Sequence, residues 1–363
     1  MNPVADARRH PYFLQLLQGQ RRGFWPTLLR GGLWWLSLGY GLLIRLRNWA
    51  YDHGWCRSHR AAVPVVSVGN LSVGGTGKTP FVEYLARFYR DRQRLVAILS
   101  RGYGAGPHTR QSSNDEAQLL ADNLPDVPHL QGADRVALAA IAVEECESEI
   151  LLLDDGFQHR RLARDLDIVL VDATAPLDHL LPRGLLREPP SSLRRADALV
   201  LTRCDQSQQV PALRHRLERL AAGKPIAECI HAPVYLFNTT TEQPLAALQG
   251  RPVAAFGGVG HPEAFRRTLI DLGANLQDFR IYPDHYAYSR DDVNDLAHWA
   301  ASQPPETWLV TTQKDFVKLR IDQLGGRPLW ALRVQIQFRD GQEHLEALLN
   351  RVVEITNQGG FSS

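Results

Sequence analysis

Residues Val65-Val-Ser-Val-Gly-Asn-Leu-Ser-Val-Gly-Gly-Thr-Gly-Lys-Thr-Pro80 run from β-branched apolar positions into a cluster of glycines and end in Gly77-Lys78-Thr79. A strand signal, then glycines, then a helical pattern brings backbone N–H groups and a helix N-terminus onto one anion, which is the arrangement of a phosphate-binding loop. In that arrangement Ser72, Val73, Gly74, Gly75, Thr76, Gly77, Lys78 and Thr79 surround nucleotide phosphates. Lys78 reaches the β- and γ-phosphates, and the Thr79 hydroxyl sits on Mg²⁺. The strict pattern has glycine six residues before the lysine, where this chain has Ser72. Gly74, Gly75 and Gly77 still leave the loop free to take positive φ and to admit a ligand close to the backbone. A glycine-rich turn with an incidental lysine is the plainer reading, and it leaves the coincidence of strand, loop and Gly-Lys-Thr unaccounted for.

The stretch implies an α/β fold, and the pattern downstream agrees. Apolar strand-like runs at 65–68, 95–99, 150–153, 167–171 and 198–201 alternate with helical patterns at 80–90, 115–123 and 134–145, the signature of a parallel sheet covered by helices. Asn114-Asp115-Glu116 has the acidic chemistry of a helix start. A second set of runs, at 234–237, 253–256, 308–312 and 330–336 with a helix over 262–272, predicts a smaller α/β lobe. The 363 residues suit about two domains. The expected division is an N-terminal helical segment over 1–60, a P-loop core over 61–225, the smaller lobe over 226–345 and a C-terminal tail over 346–363.

Residues 1–60 differ from the rest. They hold Trp25, Trp34, Trp35, Trp49 and Trp55, five of the eight tryptophans. The apolar centre, residues 32–44, would make a helix of about 20 Å, short of the roughly 30 Å hydrocarbon core, so a membrane span is not expected. Arg21, Arg22 and Arg30 precede it, and Arg45, Arg47, Arg57 and Arg60 follow. Aromatic and leucine bulk between arginines suits a helix lying in the headgroup region of an anionic leaflet. The competing reading is a helix buried against the core, which an apolar run of this length also fits. No small-residue cleavage site follows the run, which argues against a secretory signal.

The formal net charge of +2 gives no reason to expect nucleic-acid binding. Cys56, Cys146, Cys204 and Cys229 lack C-x-x-C spacing, which argues against a zinc site or a disulfide framework and, with a nucleotide site, for a reducing cytoplasm.

Leu151-Leu-Leu-Asp154-Asp155-Gly-Phe-Gln158-His159 puts an acidic pair at the carboxyl end of a strand, where open α/β sheets bind ligands. Asp154 and Asp155 are therefore metal candidates beside Thr79. Successive residues at a strand end point opposite ways, so the two are expected to differ in role. An acidic turn capping a helix is the alternative. Thr202-Arg203-Cys204-Asp205 loosely echoes a guanine-recognition loop, but an arginine replaces its lysine, and Asp154-Asp155-Gly156 is one residue short of D-x-x-G spacing.

Together with Ser100-Arg-Gly-Tyr103, Gly132-Ala-Asp134-Arg135, Leu181-Pro-Arg-Gly-Leu-Leu-Arg-Glu188, Pro283-Asp-His285 and Thr311-Thr-Gln-Lys-Asp315, these motifs make the chain resemble the tetraacyldisaccharide 4′-kinase family from its N-terminus to about residue 320. The resemblance implies ATP and Mg²⁺ as cofactors. The acceptor would be the 4′-hydroxyl of a β-1,6-linked, tetraacylated glucosamine disaccharide 1-phosphate, a lipid A precursor. The place would be the cytoplasmic face of the Gram-negative inner membrane, with the enzyme peripheral or monotopic. By the same resemblance Asp134 matches a catalytic base and His285 its dyad partner, with Lys78 the catalytic cation. On residues alone, Asp134 would read as a helix cap and His285 as a loop histidine. Arg101 and Arg187 are candidates for phosphate or lipid head group, and Gln313 stands where the family pattern suggests glutamate. The rival class is a regulatory P-loop GTPase or ATPase acting as a protein switch, with Gln158 orienting water.

Overall fold

The structure, a computed structural model, describes residues 23–102, 109–175, 177–221, 223–284 and 286–358. His285 and Arg21 and Arg22 lie outside them. In chain order the first half carries α1 (Phe24–Asp52), β1 (Val65–Asn70), α2 (Lys78–Arg90), β2 (Val96–Ser100), α3 (Thr109–Asn123), β3 (His129–Gln131), α4 (Arg135–Glu144), β4 (Ile150–Asp154), β5 (Leu166–Asp172), β6 (Ala198–Thr202) and α5 (Val210–Ala221). The second half carries β7 (Ile226–Phe237), β8 (Glu242–Pro244), β9 (Pro252–Gly257), α6 (Pro262–Asp271), β10 (Asn275–Ile281), α7 (Arg290–Ser302), β11 (Trp308–Thr312), α8 (Gln313–Leu319), β12 (Gln323–Leu324), β13 (Arg327–Asp340) and α9 (Gln342–Gln358).

The chain divides into two compact units. The first comprises the described residues up to Lys78, then Ala139–Cys229, then those from Phe338 onward; the second comprises Thr79–Leu138 and Ile230–Gln337.

In the first unit β4, β1, β5 and β6 lie side by side and all run parallel. The opening residues of β7 join β6 in the same sense. Every residue of β1 and β5 is buried, as expected of parallel strands covered on both faces, which read as continuous apolar runs rather than alternating ones. Because the strands share one direction, the loops after Asn70, Asp154, Asp172 and Thr202 emerge at one edge of the sheet, the edge where such folds hold ligands. Helix α9 packs on β5 through the buried Leu345, Leu349 and Val352.

In the second unit β10, β9, β11 and β13 form a parallel array, and β2 pairs with β3. Period-two alternation sorts its side chains to two faces. Ala254, Phe256 and Leu309 pack against Leu296 and Trp299 of α7, whereas Val253, Ala255 and Val310 pack against Phe265 and Leu269 of α6.

The parallel α/β expectation holds, and three local readings are revised. Helix α3 begins at Thr109, so Asn114-Asp115-Glu116 lies inside it rather than at its start. Helix α2 starts at Lys78, two residues before the expected Pro80. Helix α1 has 29 residues, about 44 Å at 1.5 Å per residue, so shortness is not what keeps it from spanning a bilayer. No helix among the described residues is both long and apolar enough to cross a membrane.

Helix α1 is inside-out. Its buried positions are Ser37, Gly41 and Asn48, while Trp35 is 69% and Leu43 66% exposed. The reading of α1 as a core helix therefore fails, since its apolar side does not face the protein.

Candidate active site

The loop after β1 is held from several directions within the first unit. Val73 N–H donates to Leu185 O at 2.7 Å, and Arg187 N–H to Leu71 O at 2.6 Å. Ser72 bridges Leu186 in the antiparallel sense. Asn70 Nδ2 donates to Thr76 Oγ1 at 3.0 Å, and Thr202 Oγ1 donates to the Thr76 carbonyl at 2.9 Å. Gly74 and Gly77 take φ of 125° and 82°, the left-handed region in which a Cβ is penalised. The loop is thus pinned at both ends, and Lys78 opens the first turn of α2.

The Asp154-Asp155 pair is delivered by β4. Gly69 on β1 lets the following Gly156-Phe157 turn approach closely, because a Cβ there would stand 2.5 Å from Phe157 Cβ. Asp154 is the last residue of the strand, whereas Asp155 has left it, with φ of 54°. A non-glycine residue is uncommon in that region, and Asp and Asn are among those that tolerate it. Asp155 Oδ1 lies 3.4 Å from Lys78 Nζ, and Oδ2 accepts from Arg187 Nη1 at 2.8 Å. Burial by itself would raise the Asp155 carboxyl, but the charges of Lys78 and Arg187 and their hydrogen bonds outweigh it and hold the group below the usual carboxylate range. The two aspartates do differ in environment: Asp155 is committed to two cations, and Asp154 ends the strand that lies beside β1.

A second acidic position at a strand end escaped the sequence reading. Asp172 closes β5 and accepts from the Thr174 N–H and hydroxyl at 2.9 and 2.7 Å. Its other oxygen pairs with Arg203. The arginine of Thr202-Arg203-Cys204-Asp205 is thereby tied to the neighbouring strand end. The available signal was the same as for Asp154, an acid terminating an apolar run. Gln158 is engaged as well, its Nε2 donating to Asn70 O at 2.9 Å.

The polar side of α1 meets this region. Tyr40 Oη donates to Arg187 O at 2.8 Å, Asn48 Nδ2 to Glu188 Oε2 at 2.8 Å, and Arg47 to Gln158 O at 2.6 Å. Glu188 is fully buried and also accepts from Arg195 at 2.9 Å. Burial would raise its carboxyl, and the Arg195 and Asn48 contacts more than reverse this. None of these α1 contacts was legible beforehand, since they join residues about 110 to 150 positions apart.

The second unit carries the remaining candidates. Asp134 Oδ1 accepts from the N–H groups of Val136 and Ala137 at 3.0 and 3.3 Å, so it caps α4. Arg101 is exposed just beyond β2. Gln313 is buried and bridges two partners, donating to Asn123 Oδ1 at 2.7 Å and accepting from Arg333 at 2.5 Å. Arg333 also pairs with Glu83 of α2. Within the motif at 311–315, Asp315 is fully buried and accepts from Gly258 N–H at 2.9 Å and Thr312 Oγ1 at 2.6 Å. That motif is thus structural in the contacts it makes here, and Gln313 serves in it as a neutral linker with both a donor and an acceptor to offer.

A family described as tetraacyldisaccharide-1-P 4′-kinase matches residues 29–354. The chain belongs to that family. A tetraacyldisaccharide 4′-kinase of Anaeromyxobacter dehalogenans is 43% identical over 325 residues, covering 84% of this chain and 85% of the relative. One from Geobacter sulfurreducens is 36% identical over 358 residues, covering 94% and 99%. Among solved structures, the "apo" form of LpxK from Aquifex aeolicus in complex with ATP matches with a TM-score of 0.71 at 36% identity, over 89% of this chain and 99% of that one. Membership of this kinase family disfavours the switch reading, under which Gln158 would have been the water-orienting residue.

Proposed function

We propose that this chain transfers the γ-phosphoryl group of ATP to the 4′-hydroxyl of a tetraacylated glucosamine disaccharide 1-phosphate. The observation that carries this, with the family membership, is the convergence of Lys78 and Arg187 on Asp155 at the mouth of the phosphate loop. Phosphoryl transfer is mostly positioning and charge neutralisation. Loop N–H groups from Ser72 to Thr79 cradle the phosphates. Lys78, and Arg187 beside it, offset charge on the oxygens of the transferring group.

Mg²⁺ suits hard oxygen donors of the kind the two motifs offer, and the Thr79 hydroxyl with the carboxylates that follow β4 would hold it. We assign Asp154, which ends β4, to the metal, and Asp155 to the two cations it holds. When bound, Mg²⁺ neutralises phosphate charge. Asp134 accepts the proton of the 4′-hydroxyl as that oxygen bonds to phosphorus and ADP departs, and His285 orients the aspartate.

The exposed aromatic and leucine side of α1 supports seating at the cytoplasmic face of the inner membrane, where an acylated acceptor resides. The deciding experiment is mass spectrometry of the lipid after incubation of the protein with the dephosphorylated disaccharide, Mg²⁺ and either ATP or GTP. One added phosphate, formed faster with ATP, is expected. Nucleotide hydrolysis with no change in lipid mass would return the switch reading.

A further inference from the structure

The segment from Leu180 to Glu188 serves the phosphate site twice. Its backbone pairs with the phosphate loop through Leu185 and Arg187, and its Arg187 guanidinium pairs with Asp155. Behind that segment stands the polar stripe of α1. Ser37 Oγ accepts from Arg183 N–H at 2.9 Å and lies 3.0 Å from Leu180 O. Gly41 packs so closely that a Cβ would stand 2.8 Å from Leu180 Cδ1. Tyr40 and Asn48 bond the Arg187 carbonyl and the Glu188 carboxylate, the backbone and the neighbour of the arginine that faces Asp155.

An ordinary amphipathic helix attaches by its apolar face. This one attaches by hydrogen bonds, and those named here end on the segment that places Arg187. Burial, and the Glu188 carboxylate near it, push the Tyr40 phenol up, so it stays protonated and donating.

We propose that Tyr40 and Asn48 are positioning residues for phosphoryl transfer, setting Arg187 against Asp155 and Lys78 from the helix that carries the exposed apolar face. This rests on the function proposed above and adds a second role for α1, as the backing of the catalytic loop. Loss of either contact lowers turnover even where no bilayer is involved.

The test is a kinase assay on the disaccharide in detergent micelles, so that partition onto a membrane does not enter. Tyr40→Phe and Asn48→Ala should each lower kcat about fivefold, the fold-change of one net hydrogen bond, with the KM for ATP nearly unchanged. On an Arg187→Ala background neither should lower kcat further, because residues acting through one group are non-additive. Full additional losses on that background, or an unchanged kcat with only a lowered Tm, would overturn the proposal. If the unaltered protein adds no phosphate to the disaccharide, the proposed reaction fails on its own. Amide exchange then judges the coupling: faster exchange at Leu185 to Glu188 in both variants supports it, and unchanged protection there overturns it.

Discussion

The Asp155 carboxylate lies 3.4 Å from Lys78 Nζ, so the lysine of the phosphate loop is held in place by an aspartate that has itself left regular strand geometry. Its other oxygen takes Arg187. One carboxylate thus orders two cations about one point, at the cost of a left-handed backbone at residue 155. Lys78→Ala should lower turnover on the order of 10²-fold or more, the scale of removing one preorganised charge from a phosphoryl or oxyanion site. Steady-state kinetics on the lipid acceptor checks this, and near wild-type turnover would remove the loop from the mechanism.

Asp155 also carries a pH signature. Its carboxyl is held below the usual range in the folded protein, so its contribution to stability is present above the unfolded value of about 4 and is lost as pH falls through the depressed folded value. Asp155→Asn keeps a residue type that tolerates positive φ while removing the charge. The variant should melt below the parent at pH 7, and the gap should close as the pH is taken below 4. A gap that stays constant across that range would show that the pairs with Lys78 and Arg187 add nothing to stability.

Asp134 can be divided between its two readings. Asparagine caps helices as well as aspartate does, whereas alanine costs about 1 kcal/mol. Asp134→Asn should therefore leave the melting temperature near the parent's and still abolish most of the kinase activity, while Asp134→Ala should lose both. Substantial activity in Asp134→Asn would leave Asp134 as a cap of α4 and nothing more.

What could be read in advance followed the range of the interaction. β1, β4, β5 and β6 were legible because strands covered on both faces must be continuously apolar, and so was the placement, though not the role, of Lys78, Asp154 and Asp155, because each follows such a run at short spacing. The start of α3 was misplaced because Asn114-Asp115-Glu116 is good capping chemistry that the chain does not use there. Asp172 with Arg203, Glu83 with Arg333, and Tyr40 with Arg187 were invisible for another reason. Each joins residues far apart in the chain, and no periodicity announces which distant partner a buried charge or phenol will find.

Arg333 illustrates the size of such hidden terms. It and Glu83 are both nearly fully buried and paired, with Arg87 and Asn123 also on the Glu83 carboxylate. Removing one partner of a buried pair leaves a charge short of its compensation, and the typical cost is about 3–5 kcal/mol. Arg87 remains in place, so Arg333→Ala should fall toward the lower end, near 3 kcal/mol, read by denaturant unfolding. A loss under about 1 kcal/mol would mean that Arg87 and Asn123 together satisfy Glu83.

The exposed side of α1 offers the sharpest separation of folding from location. Trp34, Trp35, Leu42 and Leu43 are 44%, 69%, 57% and 66% exposed, so their apolar bodies contribute little to the fold. If they lie among acyl chains they contribute about 25 cal/mol for each Å² withdrawn from water. Arg45, Arg57 and Arg60, all exposed, would add roughly 1 kcal/mol each against anionic lipid, a part that weakens with salt. Replacing the four apolar residues by serine should leave the melting temperature and ATP binding close to the parent's, since surface changes mostly stay within about 0.5 kcal/mol. Sedimentation with anionic vesicles should show the protein released. Kinase activity on acceptor embedded in those vesicles should fall, because the substrate stays in the bilayer while the enzyme does not. Aggregation or loss of ATP binding in the variant would instead put the apolar side of α1 among the groups that hold the fold together. Continued sedimentation with full activity would assign the anchoring to another surface.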